Sequence, residues 1–266
     1  MTLAPPNFHR LGPQPGGNIL IIGGCGGIGF ALVKASLDIG LNTFVMDLDK
    51  SIQITQLPTA VKAIPIDLRE EVSIEAAFGV FDEFKQTLNH VVFASGYTAD
   101  LLSVANMDTD ILDDVMGGNI RGQVLAARAC LSRMDEGGFV FVSTAIGQVG
   151  APGYGPYGIS KAGTNALIRI LAAELAPKIR VNGIAPGPVD TPFIRGGLGR
   201  GVTEANDKRS GKASRFDKEA FIARTPLGRL GHSDDMVGPV LFLLSNAARF
   251  ITGQVLHVNG GGFMRD

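Results

Sequence analysis

The sequence predicts a single α/β domain in which seven parallel strands form a doubly wound sheet with helices on both faces. Short apolar runs rich in β-branched residues alternate along the chain with longer helical patterns, which is typical of strand–helix–strand units. The short runs are apolar throughout, as expected for strands that are buried on both faces. Hydrophobic residues make up 45% of the chain and glycine supplies 36 of its 266 residues, which suits a large core with many tight turns.

Seven runs qualify as strands. In chain order they are Ile19–Ile22, Thr43–Met46, Ala63–Ile66, His90–Ala94, Phe139–Ser143, Arg180–Ile184 and Val255–Val258. The clearest helical pattern, Tyr157–Ala176, ends before Pro177. Residues 1–16 are predicted to be a flexible N-terminal tail and residues 17–266 the domain itself. Because connections between parallel strands are right-handed, these units form a doubly wound sheet. In such a sheet we expect ligands beyond the carboxyl ends of the strands.

The segment 192–225 interrupts this alternation, because it contains no clear strand. A connection of this length in a compact domain is usually a lid over a site or partly disordered. Between Pro192 and Arg224 the chain carries eight basic and four acidic residues, whereas its total net charge is −1. The segment is therefore predicted to be a substrate lid. Its positive charge suits either a mobile solvated loop or closure over an anionic substrate.

A glycine-rich turn, Gly23 to Gly29, joins the first predicted strand to a helix that Gly40 ends. In this context backbone N–H groups and the helix N-terminus can hold a pyrophosphate; a flexible surface turn is the alternative. The candidate binding residues of the turn are Gly23, Cys25, Gly26, Gly27, Ile28 and Gly29. Asp47 ends the second strand about twenty residues later and suits hydrogen bonds to an adenosine ribose diol.

Tyr157 and Lys161 carry the strongest chemical signal in the sequence. Their four-residue spacing at the start of a predicted helix places both side chains on one face, one turn apart. A phenol with its usual pKa near ~10 is a poor proton donor or acceptor at neutral pH. The neighbouring ammonium is expected to lower the pKa of Tyr157, so that the phenol can serve as a general acid/base.

Over residues 17–266 the chain resembles the single-domain branch of the short-chain dehydrogenase/reductase family. Gly23, Gly27 and Gly29 match the cofactor motif of this family, although Ile22 replaces the usual threonine. The resemblance implies a Rossmann fold that binds a nicotinamide dinucleotide. It also implies that Lys161 hydrogen-bonds the nicotinamide ribose in addition to lowering the pKa of Tyr157.

The same resemblance implies further site residues. Asp67 matches the acid that usually meets the adenine amine, and Asn119 matches the helix asparagine of the catalytic tetrad, which fixes a water in a proton relay. Where the family has Asn-Asn-Ala-Gly, this chain has Phe93–Gly96, so only the glycine is shared. Val189 is expected to hold the carboxamide through its backbone. The remaining implied cofactor contacts are Leu68, Ser95, Gly96, Pro186, Gly187 and Thr191, in addition to Tyr157 and Lys161.

The hydroxyl that positions the substrate is assigned to Thr144. The family places a serine thirteen residues before the tyrosine and three before a glycine, and Thr144 holds that position here, with Gly147 following. Ser143 is the alternative if the alignment shifts by one residue. Neighbouring residues of a strand point to opposite faces, so only one of the two hydroxyls can face the substrate.

These features predict an oxidoreductase that transfers a hydride between NAD(H) and a secondary alcohol or ketone. NAD(H) is expected over NADP(H), because Asp47 would repel a 2′-phosphate and neither Gly26 nor Leu48 carries a positive charge. A 3-oxoacyl thioester reductase, a non-catalytic nucleotide-binding sensor and a partner subunit on the same fold are the alternatives. A homotetramer or a homodimer is expected.

Composition argues against several other classes. A net charge of −1 and an isoelectric point near 6.4 offer no basis for binding nucleic acid or an anionic membrane. No apolar run reaches the ~18 residues of a membrane span, and a cytoplasmic location is expected. Two cysteines and four scattered histidines predict neither a disulfide framework nor a metal site. Cys25, beside a helix N-terminus, is either a small filler of the turn or a reactive thiol with a lowered pKa that bound NAD would protect.

Overall fold

The computed structural model describes residues 11–98, 103–194 and 217–264, which contain one seven-stranded sheet covered by helices on both faces. The strands are β1 (Asn18–Ile22), β2 (Asn42–Asp47), β3 (Lys62–Pro65), β4 (His90–Phe93), β5 (Gly137–Val142), β6 (Ile179–Pro186) and β7 (Val255–Val258). Their order in the sheet is β3-β2-β1-β4-β5-β6-β7, and every neighbouring pair is parallel. The predicted fold class is therefore confirmed, and each strand end lies within two residues of its predicted position.

The described ranges also contain eight α-helices. They are α1 (Gly27–Asp38), α2 (Asp49–Ile54), α3 (Glu71–Glu83), α4 (Thr109–Met116), α5 (Gly122–Leu131), α6 (Gly155–Leu175), α7 (Lys218–Arg224) and α8 (Ser233–Leu244). A π-helical turn, Gly117–Arg121, joins α4 to α5, and short 3₁₀ turns include Ala145–Gly147. Most of the predicted lid, residues 195–216, lies outside the described residues, as do residues 1–10 of the predicted tail. In the described part of the chain no helix is both long enough and apolar enough to cross a membrane.

The sheet buries apolar side chains on both of its faces. Along β1, Leu20 and Ile22 join a cluster with side chains of α3, α5 and α6, whereas Ile19 and Ile21 join a second cluster with side chains of α1 and α8. All four side chains are at most 1% exposed. Successive strand residues alternate between the two clusters, and this explains why the strands are apolar without interruption.

The strand order reverses next to β1, which pairs with β2 on one side and with β4 on the other. Such a reversal opens a crevice beyond the carboxyl ends of the two flanking strands. In the register of the sheet, Ile22 at the end of β1 lies beside Met46 of β2 and Phe93 of β4. The residues that follow these three positions therefore meet at one edge, and they include the glycine turn, Asp47 and the segment Ala94–Gly96.

Candidate active site

The glycine turn is packed so closely that several of its positions exclude a side chain. Gly23 has a φ of +90°, and a Cβ there would lie 2.5 Å from the backbone nitrogen of Ser95. A Cβ on Gly29 would lie 2.0 Å from the carbonyl oxygen of Gly23. Helix α1 begins at Gly27 without a side-chain cap. The first amide groups of this helix thus open onto a turn made mostly of glycine, which is the cradle that a pyrophosphate requires.

Asp47 is fixed beside this turn by two backbone donors. Its carboxylate accepts a hydrogen bond from the N–H of Cys25 at 2.9 Å and another from the N–H of Leu48 at 2.8 Å. Burial raises the pKa of Asp47, and these backbone hydrogen bonds oppose the shift. The side chains of Ser51 and Cys25 also hydrogen-bond this carboxylate, so a ribose diol would take the place of side-chain donors there.

The structure contradicts the hypothesis that Cys25 has a lowered pKa. Burial, followed by the negative charge of Asp47, raises the pKa of the Cys25 thiol to about 12. These two effects outweigh the hydrogen bond with the side chain of Thr55, which lowers the pKa, so the thiolate is scarce at neutral pH. The proposed reactive thiol was therefore wrong, and the small filler of the turn is the better interpretation. Cys25 also packs against the apolar cluster on that face of the sheet.

Tyr157 and Lys161 lie in the first turns of α6, where the sequence places them. Tyr157 is half-buried, whereas Lys161 is only 3% exposed. The Nζ atom of Lys161 donates a hydrogen bond to the carbonyl oxygen of Val142 at 2.8 Å and lies 5.8 Å from the centroid of the Tyr157 ring. A Cβ on Gly96 would come within 2.9 Å of the same Nζ atom. The glycine that this chain shares with the family motif therefore leaves space for the lysine.

The pKa of Tyr157 shifts in the direction opposite to the prediction. Burial raises the pKa of Tyr157, and the neighbouring Tyr154 adds to the shift. Burial also lowers the pKa of Lys161 to about 8. The ammonium donates a hydrogen bond to the Val142 carbonyl, and desolvation dominates the pKa shifts of both groups. Burial therefore favours the neutral form of both groups, the amine of Lys161 and the phenol of Tyr157.

Asn119 lies in the π-helical turn and is 1% exposed. Its Oδ1 atom accepts a hydrogen bond from the N–H of Tyr97 at 3.0 Å, and its Nδ2 atom donates to the carbonyl of Tyr97 at 2.7 Å. The same Nδ2 lies 3.1 Å from the hydroxyl of Ser160, which in turn donates to the carbonyl of Tyr157 at 2.8 Å. The Asn119 side chain thus connects the segment after β4 to the first turns of α6.

Ser143 and Thr144 have different surroundings. Ser143 is 3% exposed, and its hydroxyl donates a hydrogen bond to Oδ1 of Asn165 on α6 at 2.6 Å. Thr144 is half-buried and begins the 3₁₀ turn Ala145–Gly147, where its hydroxyl accepts a hydrogen bond from the N–H of Ile146 at 3.4 Å. Of the two residues, Thr144 is the less buried, and its hydroxyl forms the longer hydrogen bond.

The segment after β6 lies next to the glycine turn. A Cβ on Gly27 would meet Cγ2 of Thr191 at 2.6 Å, which places Thr191 directly against the start of α1. Val189 is 7% exposed and forms an isolated parallel bridge with Gly231. That bridge uses the N–H of Asp190 and the carbonyl of Pro188, so the Val189 backbone itself faces away from it. The N–H of Gly187 donates to Val258 of β7, which fixes the end of β6 beside that strand.

The remaining predicted residues lie at the ends of β3 and β4. The Asp67 carboxylate is bound by Arg69, with Nε–Oδ1 at 3.0 Å and Nη2–Oδ2 at 2.5 Å. A Cβ on Gly122 would lie 2.1 Å from the carbonyl oxygen of the next residue, Leu68. The hydroxyl of Ser95 is buried and has no hydrogen-bond partner within the described residues. An orphaned hydroxyl beside the glycine turn fits a site that receives a polar ligand.

Sequence reasoning missed several residues that build this site. The Val142 carbonyl is a backbone group, so no residue type marks it in the sequence. Ser160 lies three residues after Tyr157 and could have been found from that spacing, because it occupies the same helical face. Arg69 binds Asp67 within a single loop, and Tyr97 contacts Asn119 through its backbone, so neither residue type marks its contact in the sequence. The residues present fit a dinucleotide, with a cradle for phosphates, a carboxylate for a ribose and an orphaned hydroxyl.

Comparisons with known proteins agree with this geometry. The family model described as Enoyl-(Acyl carrier protein) reductase matches residues 23–262. An uncharacterized oxidoreductase of Mycobacterium tuberculosis is 34% identical over 261 residues, which cover 92% of this chain and 90% of that protein. A 3-oxoacyl-[acyl-carrier-protein] reductase of Staphylococcus aureus is 31% identical over 258 residues, with 92% and 97% covered.

A solved structure extends the likeness to the fold. The short-chain dehydrogenase/reductase of Brucella melitensis described as glucose/ribitol dehydrogenase superposes with a TM-score of 0.80 at 26% identity, covering 96% of this chain and 99% of that one. The chain belongs to the short-chain dehydrogenase/reductase family, and it is an oxidoreductase that uses a nicotinamide cofactor.

Proposed function

We propose that this protein transfers a hydride between NAD(H) and a secondary alcohol or ketone, with Tyr157 as the general acid/base. The observation that carries the proposal is the buried Lys161 ammonium 5.8 Å from the Tyr157 ring, at the edge of the sheet that also holds the glycine turn. The nicotinamide ring supplies the hydride chemistry when the cofactor is bound. The protein itself binds the cofactor, orients the substrate and moves one proton.

Each candidate residue has a role that its surroundings support. Tyr157 donates its phenolic proton to a carbonyl oxygen of the substrate, or takes one from a hydroxyl in the reverse direction. Lys161, with its pKa lowered to about 8, stabilises the phenolate and replaces the lost proton. Thr144 orients the substrate oxygen through its hydroxyl. Asn119 holds the π-helical turn against the start of α6. A water bound at this turn would complete the proton relay.

The same proposal assigns the nucleotide contacts. The turn Gly23–Gly29 holds the pyrophosphate, Asp47 the adenosine ribose, and the Val189 backbone the carboxamide. Asp67, Leu68, Ser95 and Gly96 border the adenine and ribose positions, and Pro186, Gly187 and Thr191 border the nicotinamide. The preference for NAD(H) rests on Asp47, whose carboxylate accepts from Cys25 and Leu48 and would repel a 2′-phosphate.

A 3-oxoacyl thioester is the second candidate substrate, and the Staphylococcus aureus relative favours it, because its name states that it reduces a 3-oxoacyl-carrier protein. Such a substrate bears phosphate on its carrier arm. The sequence from Pro192 to Arg224 has four more basic than acidic residues, which suits an anionic arm, although most of that segment lies outside the described residues. The proton transfer by Tyr157 is the same for both substrate classes.

A single absorbance experiment tests the proposal. NADH and NADPH oxidation would be followed with a panel of carbonyl compounds: simple ketones, matched keto acids, sugar-derived ketones and acetoacetyl-CoA. We expect turnover with at least one class and a kcat/KM for NADH at least about tenfold above that for NADPH, which is ~1.4 kcal/mol. Binding of NADH without oxidation by any carbonyl compound would indicate the sensor or partner-subunit alternative. Equal kcat/KM for both nucleotides would reject the role of Asp47.

We also propose a homo-oligomer, a homotetramer or a homodimer. Apolar side chains lie exposed on α5, on α6 and beside the edge strand β7; they include Val124, Ile159, Ile170, Phe250 and Leu256. Exposed apolar side chains on neighbouring helices are typical of surfaces that another subunit covers. Light scattering would give the mass in solution, and a monomer would contradict the proposal. The expected cytoplasmic location stays a prediction.

A further inference from the structure

The adenine end of the proposed cofactor site carries an ion pair that the proposed reaction does not use. Arg69 follows Asp67 by two residues in the loop after β3 and binds both oxygens of its carboxylate. The backbone N–H of Arg69 also donates to the same carboxylate at 3.0 Å. The loop is fixed from the other side by the N–H of Asp67, which donates to the hydroxyl of Ser73 at 2.8 Å. The orientation of the Asp67 carboxylate is therefore set by Arg69.

Arg69 reaches beyond its own loop to helix α4. Its Nη1 atom lies 3.3 Å from Oδ1 of Asp114, whose side chain is 15% exposed. The carbonyl oxygen of the same Asp114 accepts a hydrogen bond from the hydroxyl of Tyr97, which follows Gly96 after β4. Three segments that are distant in the sequence thus meet at Asp114. They come from β3, from β4 and from the helix that leads into the π-helical turn.

Tyr97 continues the connection toward the catalytic helix. Its backbone N–H and carbonyl bind the two ends of the Asn119 amide, at 3.0 and 2.7 Å. Asn119 also donates to the hydroxyl of Ser160 at 3.1 Å, and Ser160 donates to the carbonyl of Tyr157 at 2.8 Å. A series of hydrogen bonds, joined through the covalent frames of Asp114 and Tyr97, therefore runs from the carboxylate assigned to the adenine to the backbone carbonyl of the residue assigned to proton transfer.

Two close contacts hold the π-helical turn and the first residue of α5 against the same groups. A Cβ on Gly118 would lie 2.5 Å from the Tyr97 ring, and a Cβ on Gly122 would lie 2.1 Å from the carbonyl of Leu68. A displacement of the loop Asp67–Arg69 or of Tyr97 would therefore move the turn, because neither contact leaves slack. Single-turn π-helical segments often lie at functional sites.

We propose that Arg69 and Tyr97 are positioning residues that couple occupation of the adenine site at Asp67 to the geometry of Tyr157. The proposal rests on the proposed function and extends it. Arg69 holds the Asp67 carboxylate and Asp114 together. Tyr97 binds both Asp114 of α4 and Asn119, so a shift of α4 also shifts Asn119 and its partner Ser160. A nucleotide that hydrogen-bonds to Asp67 would tighten this series and restrict the motion of the catalytic helix start.

The test measures hydrogen exchange with ADP-ribose, a probe that carries the adenine but no nicotinamide. In the wild type, ADP-ribose is expected to slow exchange about tenfold both in residues 117–121 and in residues 155–161. Arg69→Met removes the connection at Asp67, and Tyr97→Phe removes only the hydroxyl that reaches Asp114. Each variant should lose most of this protection while still binding ADP-ribose. Arg69→Lys, which keeps the charge, should restore part of it.

Arg133→Met supplies the matched control, because Arg133 also forms a two-point ion pair, with Asp82 of α3, away from the carboxyl edge of the sheet. This control should keep the protection of both segments. In turnover assays with the most active carbonyl compound, Tyr97→Phe should lower kcat about tenfold and change the Kd for NADH less than about twofold. The double variant Arg69→Met/Tyr97→Phe should lose no more protection than Arg69→Met alone, since both act on one series.

The outcomes separate this proposal from the proposed function. ADP-ribose that binds and protects 155–161 equally in the wild type and in both variants would overturn the coupling and leave the oxidoreductase assignment intact. Failure of ADP-ribose to bind would overturn both the coupling and the nucleotide assignment. A loss of thermal stability in Arg69→Met without any loss of protection would reduce the ion pair to a structural contact.

Discussion

The two halves of the site are built in different ways. The nucleotide half, the glycine turn with Asp47, is fixed by backbone packing, since added Cβ atoms at Gly23 and Gly29 would lie 2.5 Å or less from neighbouring backbone atoms. The catalytic half, around Tyr157 and Lys161, is fixed by buried polar side chains from three segments, with pKa values shifted by burial. The first half therefore depends on the absence of side chains, and the second on charge and hydrogen bonding.

A methyl group placed in the turn should have the largest effect in the nucleotide half. Gly29→Ala puts a Cβ at 2.0 Å from the Gly23 carbonyl, so we expect at least about 3 kcal/mol of lost stability, or a turn too distorted to bind NADH. Gly26→Ala is the matched control, because its Cβ would lie 3.5 Å from that same oxygen and Gly26 is exposed. Chemical denaturation and NADH fluorescence measure both properties. Equal behaviour of the two variants would contradict close packing as the basis of this half.

Removal of the buried charge should affect the catalytic half almost as strongly. Lys161→Met is expected to lower kcat/KM at least about 100-fold, because the phenolate of Tyr157 loses its stabilising partner. Lys178→Met, at an exposed lysine, should leave kcat/KM within about twofold. A kcat/KM of Lys161→Met at a tenth or more of the wild-type value would contradict a role for the buried charge in catalysis.

The same substitution carries a pH prediction. The folded-state pKa of Lys161, about 8, lies below its ordinary value of 10.5, so the stability it contributes is present above 10.5 and lost as the pH falls through 8. Wild-type stability should therefore rise between pH 8 and 9.5, within a total effect of at most about 3 kcal/mol. In Lys161→Met this rise should be smaller. Denaturation at the two pH values gives the difference, and an identical rise in both proteins would contradict the buried charge.

The two neighbouring hydroxyls give a smaller and opposed pair of effects. Thr144→Ala should lower kcat about 10- to 100-fold and leave stability within about 0.5 kcal/mol, because Thr144 is half-buried and weakly bonded. Ser143→Ala should lower stability by about 1–2 kcal/mol, because Oδ1 of Asn165 loses its donor, and should change kcat less than about threefold. Exchanged effects would assign the substrate hydroxyl to Ser143.

The sequence was informative where structure follows from local rules. The strands, the glycine turn and Asp47 could be predicted because strand periodicity and glycine spacing report directly on burial and on backbone approach. The direction of the Tyr157 pKa shift could not be predicted. It depends on how deeply the fold buries the phenol and on the contact of Lys161 with the Val142 carbonyl, a backbone group from another segment.

The series through Arg69, Tyr97 and Asn119 could not be predicted either. Its members lie up to 93 residues apart in the chain, between Asp67 and Ser160, and no spacing rule connects the segments that carry them. The Cys25 hypothesis failed for a related reason. A helix N-terminus is visible in sequence, but the burial of the thiol and the proximity of Asp47, which together raise its pKa, are properties of the packed turn.

The most direct test of the account is the substitution Tyr157→Phe, which removes one hydroxyl and keeps the ring that packs at 5.9 Å from Phe193. NADH binding would be measured by fluorescence and hydride transfer by a single-turnover absorbance trace with the best carbonyl compound. Tyr154→Phe, which removes a phenol three residues earlier, is the control and should stay within about threefold of the wild type. We predict an NADH Kd within about twofold of wild type and hydride transfer at least about 1000-fold slower. Hydride transfer within tenfold of the wild-type rate, with NADH bound, would contradict Tyr157 as the proton donor.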